Sequence, residues 1–168
     1  QPENAASVVS AVELLRRRGL TISDKALREG LEQTRWAARF ERLSENPTVI
    51  YDGSHNPQGI DAAVLSIKGI FPGQRVNLLT GVLRDKDYKY IASVLAQVAA
   101  DVWCVTPDND RALSAIEYAQ VLGDFGVRTV ACETLESGVA AAYEACRLSG
   151  TPLVALGSLY MYGDFCAA

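Results

Sequence analysis

The segment Val49-Ile50-Tyr51-Asp52-Gly53-Ser54-His55-Asn56-Pro57 limits what this chain can fold into more than any other. A short β-branched and aromatic run stops at an acid, passes two small residues and the sole histidine, and meets Asn-Pro. Asn56 suits a helix N-cap, because its side-chain oxygen accepts an otherwise orphaned backbone N–H. Pro57 suits the first helical position, where its missing N–H forfeits no bond. Ile60, Val64, Ile67 and Phe71 then recur at helical spacing. The order is strand, polar turn, helix N-terminus. An α/β protein places ligands at such a junction, where free N–H groups and the positive helix end face outward. The same residues also make an ordinary turn and helix start, so the segment alone leaves a purely structural role open.

From Phe40 onward, β and α patterns alternate. Strands are expected at 40–43, 48–51, 75–80, 101–105, 127–131 and 152–156, and helices at 58–69, 87–98, 114–122 and 135–148. Strands separated by helices of this length imply crossovers and parallel pairing. The expected fold is therefore α/β, a Rossmann-like, mainly parallel sheet of about six strands with helices on both faces. Only Ser44 to Pro47 separate the first two strands, which is too short for a crossover and predicts an antiparallel edge hairpin. Ahead of this lies a helical segment. Residues 3–18 form one helix closed by Gly19, and Ser23 caps a second. The organisation changes near Trp36, giving a helical tail at 1–37 and an α/β domain at 38–168. The apolar face of the tail (Val8, Val9, Val12, Leu15, Leu27, Leu31) is expected to be covered rather than to lie in water.

Composition narrows the function classes. A formal charge of −4 with no basic block argues against a nucleic-acid partner. Arg16-Arg17-Arg18 complements a helix C-terminus instead. No apolar run approaches the ~20 residues of a membrane span, and no signal peptide is visible. Cys104, Cys132, Cys146 and Cys166 lack paired spacing and read as buried free thiols in a reducing cytoplasm. The chain begins at Gln1, without Met, on what reads as a helix already under way, and is expected to be part of a longer polypeptide.

In a parallel sheet the residues just past each strand share one rim. Here these are Asp52 to Asn56, Thr80-Gly81 leading to Asp85-Lys86-Asp87, Thr106 to Arg111, and Gly157-Ser158. Their convergence with the only histidine points to a ligand site on that rim. No P-loop, G-x-G-x-x-G or G-x-S-x-G sequence is present, and one histidine among scattered carboxylates makes no metal site. The rim reads as half of an active site.

These residues resemble a known family. Asp-Gly-Ser-His-Asn-Pro after a hydrophobic strand is similar to the signature of the C-terminal domain of folylpolyglutamate synthases and dihydrofolate synthases, within the Mur ligase superfamily. Further segments lie in register: Ala38-Arg39-Phe40-Glu41, Leu79-Thr80-Gly81 through Asp85-Lys86-Asp87, Thr106-Pro107 through Arg111-Ala112-Leu113, and Gly157-Ser158-Leu159-Tyr160. Gln1-Pro2-Glu3-Asn4-Ala5-Ala6 resembles the last helices of the preceding ATPase domain. The resemblance implies an enzyme that binds Mg-ATP between two domains, phosphorylates a folate carboxylate and joins L-glutamate to it. It implies that Asn4 and Asp52 contact the nucleoside and that Arg39 reaches the phosphates. It places His55 and Ser158 on the incoming glutamate, with Tyr160 beside them. His55 and Arg39 are then the catalytic candidates, and no metal ligand falls in this chain. A neutral ring at His55 is expected to donate one hydrogen bond to a glutamate carboxylate and keep its other nitrogen free. Two alternatives share parts of this pattern: a Mur-type ligase for peptidoglycan precursors or cyanophycin, and a non-catalytic Rossmann-like binding module.

Overall fold

Side-chain caps set where the helices start. Ser23, Asn56, Asp87, Ser114 and Thr134 each accept a backbone N–H from the first turn that follows. The computed structural model describes residues 2–168, with side chains from Asn4 onward. Gln1, which opens the segment compared above with an ATPase domain, lies outside the described residues, as do the side chains of Pro2 and Glu3. The chain divides into two units, Gln1–Trp36 and Ala37–Ala168.

The first unit holds α1 (Pro2–Arg17) and α2 (Asp24–Gln33). Arg16 joins them, donating to Glu13 and to the Ile22 carbonyl and pairing with Asp24 at 2.8 Å. No residue of α2 is buried, and Val8, Val9, Leu14, Leu15 and Leu31 are exposed. These include Val8, Val9, Leu15 and Leu31 of the face expected to be covered.

The second unit runs β1 (Glu41–Glu45), β2 (Thr48–Asp52), α3 (Pro57–Ile70), β3 (Val76–Thr80), α4 (Tyr88–Leu95), β4 (Ala99–Cys104), α5 (Ala115–Gly123), β5 (Arg128–Ala131), α6 (Leu135–Ser149), β6 (Leu153–Leu156), a 3-10 turn at Leu159–Met161 and α7 (Tyr162–Ala167). The sheet order is β1-β2-β6-β3-β4-β5, with β1 antiparallel to β2 and every other pair parallel. This is the α/β architecture with an antiparallel edge hairpin that the sequence pattern predicts.

Strand alternation sends side chains to two cores. Ile50, Leu78, Val102 and Val154 pack with α3, α4 and α5, while Val49, Tyr51, Leu79, Trp103 and Ala155 face α6 and α7. On α3, Ile60, Ala63, Val64 and Ile67 are buried, a stripe at helical spacing. Full burial of each large aliphatic side chain contributes about 1.5–3 kcal/mol. The chain steps from β2 toward β5 with its helices on one face, then returns to β6 through α6 on the other. A reversed direction on the opposite face keeps all four crossovers the same hand, as the twist of parallel strands requires.

Several boundaries move for physical reasons. Phe40 drops out of the first strand because its φ is +47°. The helix expected to reach residue 98 stops at Leu95, and its last turn tightens to bonds spanning three residues as the Val98 carbonyl is taken by Val76 N–H. The α7 helix was not among the expected elements. On it Cys166 is exposed, and Cys132, just past β5, is only half-buried, so the four free thiols are not uniformly buried as expected.

Among the described residues, both cores of the α/β unit are built from residues between Ala38 and Phe165. Deleting residues 1–36 should therefore leave the α/β unit folding cooperatively, with a thermal transition that circular dichroism finds as sharp as that of the whole chain. Loss of the transition would place those helices in the folding unit.

Candidate functional site

Buried polar side chains mark one end of the sheet. Asp52, Ser54, Thr80 and Ser158 are all buried, and all sit at or just beyond the C-terminal ends of β2, β3 and β6. These three strands are neighbours, and β6 leads to the face opposite that of β2 and β3. A strand whose exit reverses between two others opens a crevice on each side of it, which is where open α/β sheets bind ligands.

A cleft of about 240 Å³ lies there, lined by His55, Leu83, Lys86, Arg111, Gly157, Ser158, Leu159 and Tyr160. The structure thus brings together three of the expected site residues, His55, Ser158 and Tyr160. The floor is close-packed. Gly157 has φ +111°, and a Cβ there would fall 2.5 Å from the Gly81 carbonyl oxygen, so no side chain fits. Gly157 N–H donates to the Ser54 carbonyl at 2.9 Å, tying the β6 exit to the β2 exit. The Ser158 hydroxyl caps the following turn by accepting from Tyr160 N–H at 3.2 Å. The Ser158 carbonyl accepts from the buried Tyr51 hydroxyl at 2.7 Å.

His55 Nδ1 lies 2.8 Å from the Gly53 carbonyl oxygen. A carbonyl only accepts, so Nδ1 carries the hydrogen and Nε2 is the nitrogen left for a ligand. This corrects the expectation of a free second nitrogen. A neutral ring offers an acceptor at Nε2, whereas a protonated ring offers a donor.

Lys86 and Arg111, which the sequence reading placed on the rim without a direct role, also line the cleft. Asp85 and Asp87 behave as loop groups should. Asp85 pairs with Arg111 at 2.8 Å, and Asp87 caps α4. Lys86 between them is half-buried against the cleft, with no ion pair among the described residues. The available signal was the cation itself, held between two acids already committed elsewhere. With a ring nitrogen, a hydroxyl and two cationic groups, the cleft suits a small molecule carrying carboxylates.

Beside it, Asp52 organises a second group. Its Oδ2 accepts from Phe40 N–H at 2.8 Å and its Oδ1 from Ser54 N–H at 3.0 Å. Each carboxylate oxygen keeps one acceptor position for a ligand hydroxyl. Gly53 N–H donates to the Ala38 carbonyl at 2.7 Å. A Cβ on Gly53 would meet the end of the Leu159 side chain, which packs over it, and the Ala38 carbonyl at 3.2 Å. Arg39 is exposed and forms no ion pair or hydrogen bond among the described residues. Behind it, Tyr162 donates to Glu41 Oε2 at 2.8 Å. Burial raises the pKa of Tyr51, and the bond to Glu41 raises that of Tyr162, so both stay hydroxyls and donate. Asn4 lies in the first turn of α1, in the other unit, and the cleft does not include it.

The sequence profile described as "Mur ligase, glutamate ligase domain" matches residues 38–159, and the chain belongs to that family. It is 30% identical over 141 residues to the folylpolyglutamate synthase of Lacticaseibacillus casei, covering 83% of this chain and 31% of that protein. Among solved structures, E. coli FolC in complex with DHPP and ADP superposes with a TM-score of 0.80 at 27% identity, over 96% of this chain and 37% of FolC. A bifunctional folylpolyglutamate synthase/dihydrofolate synthase with Mn, AMPPNP and L-glutamate bound superposes with a TM-score of 0.75 at 25% identity, over 94% of this chain and 37% of that one. The chain thus spans about a third of the length of these relatives.

Asp52→Asn should destabilise the α/β unit by about 1–3 kcal/mol in a urea titration, because the new NH₂ faces either Phe40 N–H or Ser54 N–H and leaves that donor unmet. An unchanged midpoint would show that the turn does not depend on the carboxylate.

Proposed function

We propose that this chain is the C-terminal domain of a cytoplasmic, ATP-dependent ligase that joins L-glutamate to a folate. The observation that carries this reading is the meeting of His55, Ser158, Tyr160, Lys86 and Arg111 in one cleft of a glutamate ligase domain. In the complete enzyme the γ-phosphoryl group of ATP moves to a folate carboxylate, leaving ADP and an acyl phosphate. The amino group of glutamate then attacks the acyl carbon. An amide forms, inorganic phosphate leaves and the nitrogen gives up a proton.

Each residue takes a part that its surroundings support. Asp52 receives ribose hydroxyls at its remaining acceptor positions, and the resemblance gives Asn4 a contact to the nucleoside. Arg39, unpaired among the described residues, stabilises charge on the phosphoryl group in transfer. The cleft holds glutamate. Lys86 and Arg111 face its carboxylates, Ser158 and Tyr160 fix its orientation, and His55 Nε2 as an acceptor suits its amino group. Magnesium travels with the nucleotide. Its ligands, like the P-loop, belong to an upstream ATPase domain. That domain is also the partner proposed for the exposed apolar face of α1 and α2.

Two experiments test this reading. The purified 168-residue chain, given ATP, magnesium, tetrahydrofolate and glutamate, should release no phosphate above background, and turnover would contradict the half-site argument. In the full-length enzyme, His55→Ala should raise the KM for glutamate on the order of tenfold and leave that for ATP nearly unchanged. Equal losses for both substrates would assign His55 a structural role.

A further inference from the structure

Arg39 stands between two residues in the left-handed region, Ala38 at φ +56° and Phe40 at φ +47°. Non-glycine residues hold that conformation only when neighbouring bonds over-determine it. Three bonds do so here. Phe40 N–H reaches Asp52 Oδ2, Gly53 N–H reaches the Ala38 carbonyl, and Ala38 N–H reaches Glu41 Oε2 at 2.8 Å. The first two belong to the end of β2, and the third is Glu41's own. The same Oε2 accepts the Tyr162 hydroxyl at 2.8 Å. The Tyr162 ring packs edge-on against Tyr51, with centroids 5.1 Å apart, and the Tyr51 hydroxyl holds the Ser158 carbonyl.

We propose that Glu41 is a positioning residue. Its Oε2 fixes the strained turn that presents Arg39, and Tyr162 links that turn to the Ser158 wall of the cleft. The proposal rests on the reading of Arg39 as a phosphate contact. Glu41 forms no ion pair among the described residues. What the turn uses is one oxygen with two lone pairs, not a negative charge, and a glutamine carbonyl supplies the same. Glu41→Gln should therefore preserve the turn. Glu41→Met, similar in length and without a strong acceptor, should release it. Tyr162→Phe removes one of the two bonds and leaves Ala38 held.

Two measurements separate this proposal from the reading beneath it. In the 168-residue chain, hydrogen exchange at the Ala38 amide should quicken about tenfold in Glu41→Met and stay within about twofold of wild type in Glu41→Gln and Tyr162→Phe. In the full-length enzyme, Glu41→Met should raise the KM for ATP about tenfold, as Arg39→Ala does, with Glu41→Gln restoring it and the double variant no worse than Arg39→Ala. Unchanged exchange in Glu41→Met, or Gln behaving like Met, overturns the positioning role. If Arg39→Ala raises the KM for ATP and Glu41→Met does not, the proposal also fails. If Arg39→Ala leaves that KM alone, the phosphate reading fails while exchange still judges the turn.

Discussion

The peptide groups around Gly53 hold both parts of the site at once. Its N–H fixes the Ala38 carbonyl and so the turn that carries Arg39, while its carbonyl fixes the imidazole of His55. Asp52, one residue earlier, holds Phe40 and Ser54 by their backbone N–H groups. Neither flanking group can shift without breaking a bond to the end of β2. That strand end is in turn gripped by β6, whose Leu156 lies opposite Asp52. The absence of a side chain on Gly53 lets Leu159 close over it, so the β6 exit and the β2 exit share one packed surface. A single residue with no side chain thus lies where the turn carrying Arg39, the His55 ring and Leu159 meet.

The polar groups at this rim divide into two kinds of work. Asp52 and Tyr51 are buried, and their side-chain bonds run to the protein's own backbone. Lys86, Tyr160, Arg39 and the Nε2 of His55 make no such commitments among the described residues, apart from the weak packing any surface group has. Buried polar groups must be satisfied from within, because desolvation without a partner costs about 1–3 kcal/mol each. The partly exposed ones can wait for a substrate. The inner set therefore supplies rigidity, with Asp52 keeping acceptor positions besides, and the outer set supplies recognition.

Much of this was legible in the sequence, and the limits have physical causes. The alternating β and α segments, the short link from Ser44 to Pro47 and the caps at Ser23 and Asn56 are local signals, and they correctly give the fold class and the hairpin. His55 and Ser158 share a cleft as the rim argument requires, together with Tyr160, which the resemblance placed beside them. Strand order escaped the reading, because placing β6 between β2 and β3 depends on pairing distant segments rather than on any local pattern. The tautomer of His55 depends on a carbonyl two residues away whose direction only the turn decides. Lys86 was hidden by its acidic neighbours, whose ordinary loop roles masked a lysine turned the other way. The left-handed turn at Ala38 and Phe40 has no sequence mark at all, since glycine is the residue that usually announces it.

The insertion of β6 has a consequence for how the molecule comes into being. Val49 lies against Leu153 on one side of this strand and Asn77 against Leu153 on the other, so β2 and β3 have no direct pairing of their own. The strand that joins them is also the last to appear in the order of the chain. During synthesis, everything before residue 153 presents two separate pieces of sheet with open flanks, and long-range pairing of this kind is slow. The rim where Asp52 and Ser158 meet cannot exist, even transiently, until the central strand slots between its elders. A ribosome that stalls short of that point leaves behind only an unfinished sheet with exposed edges.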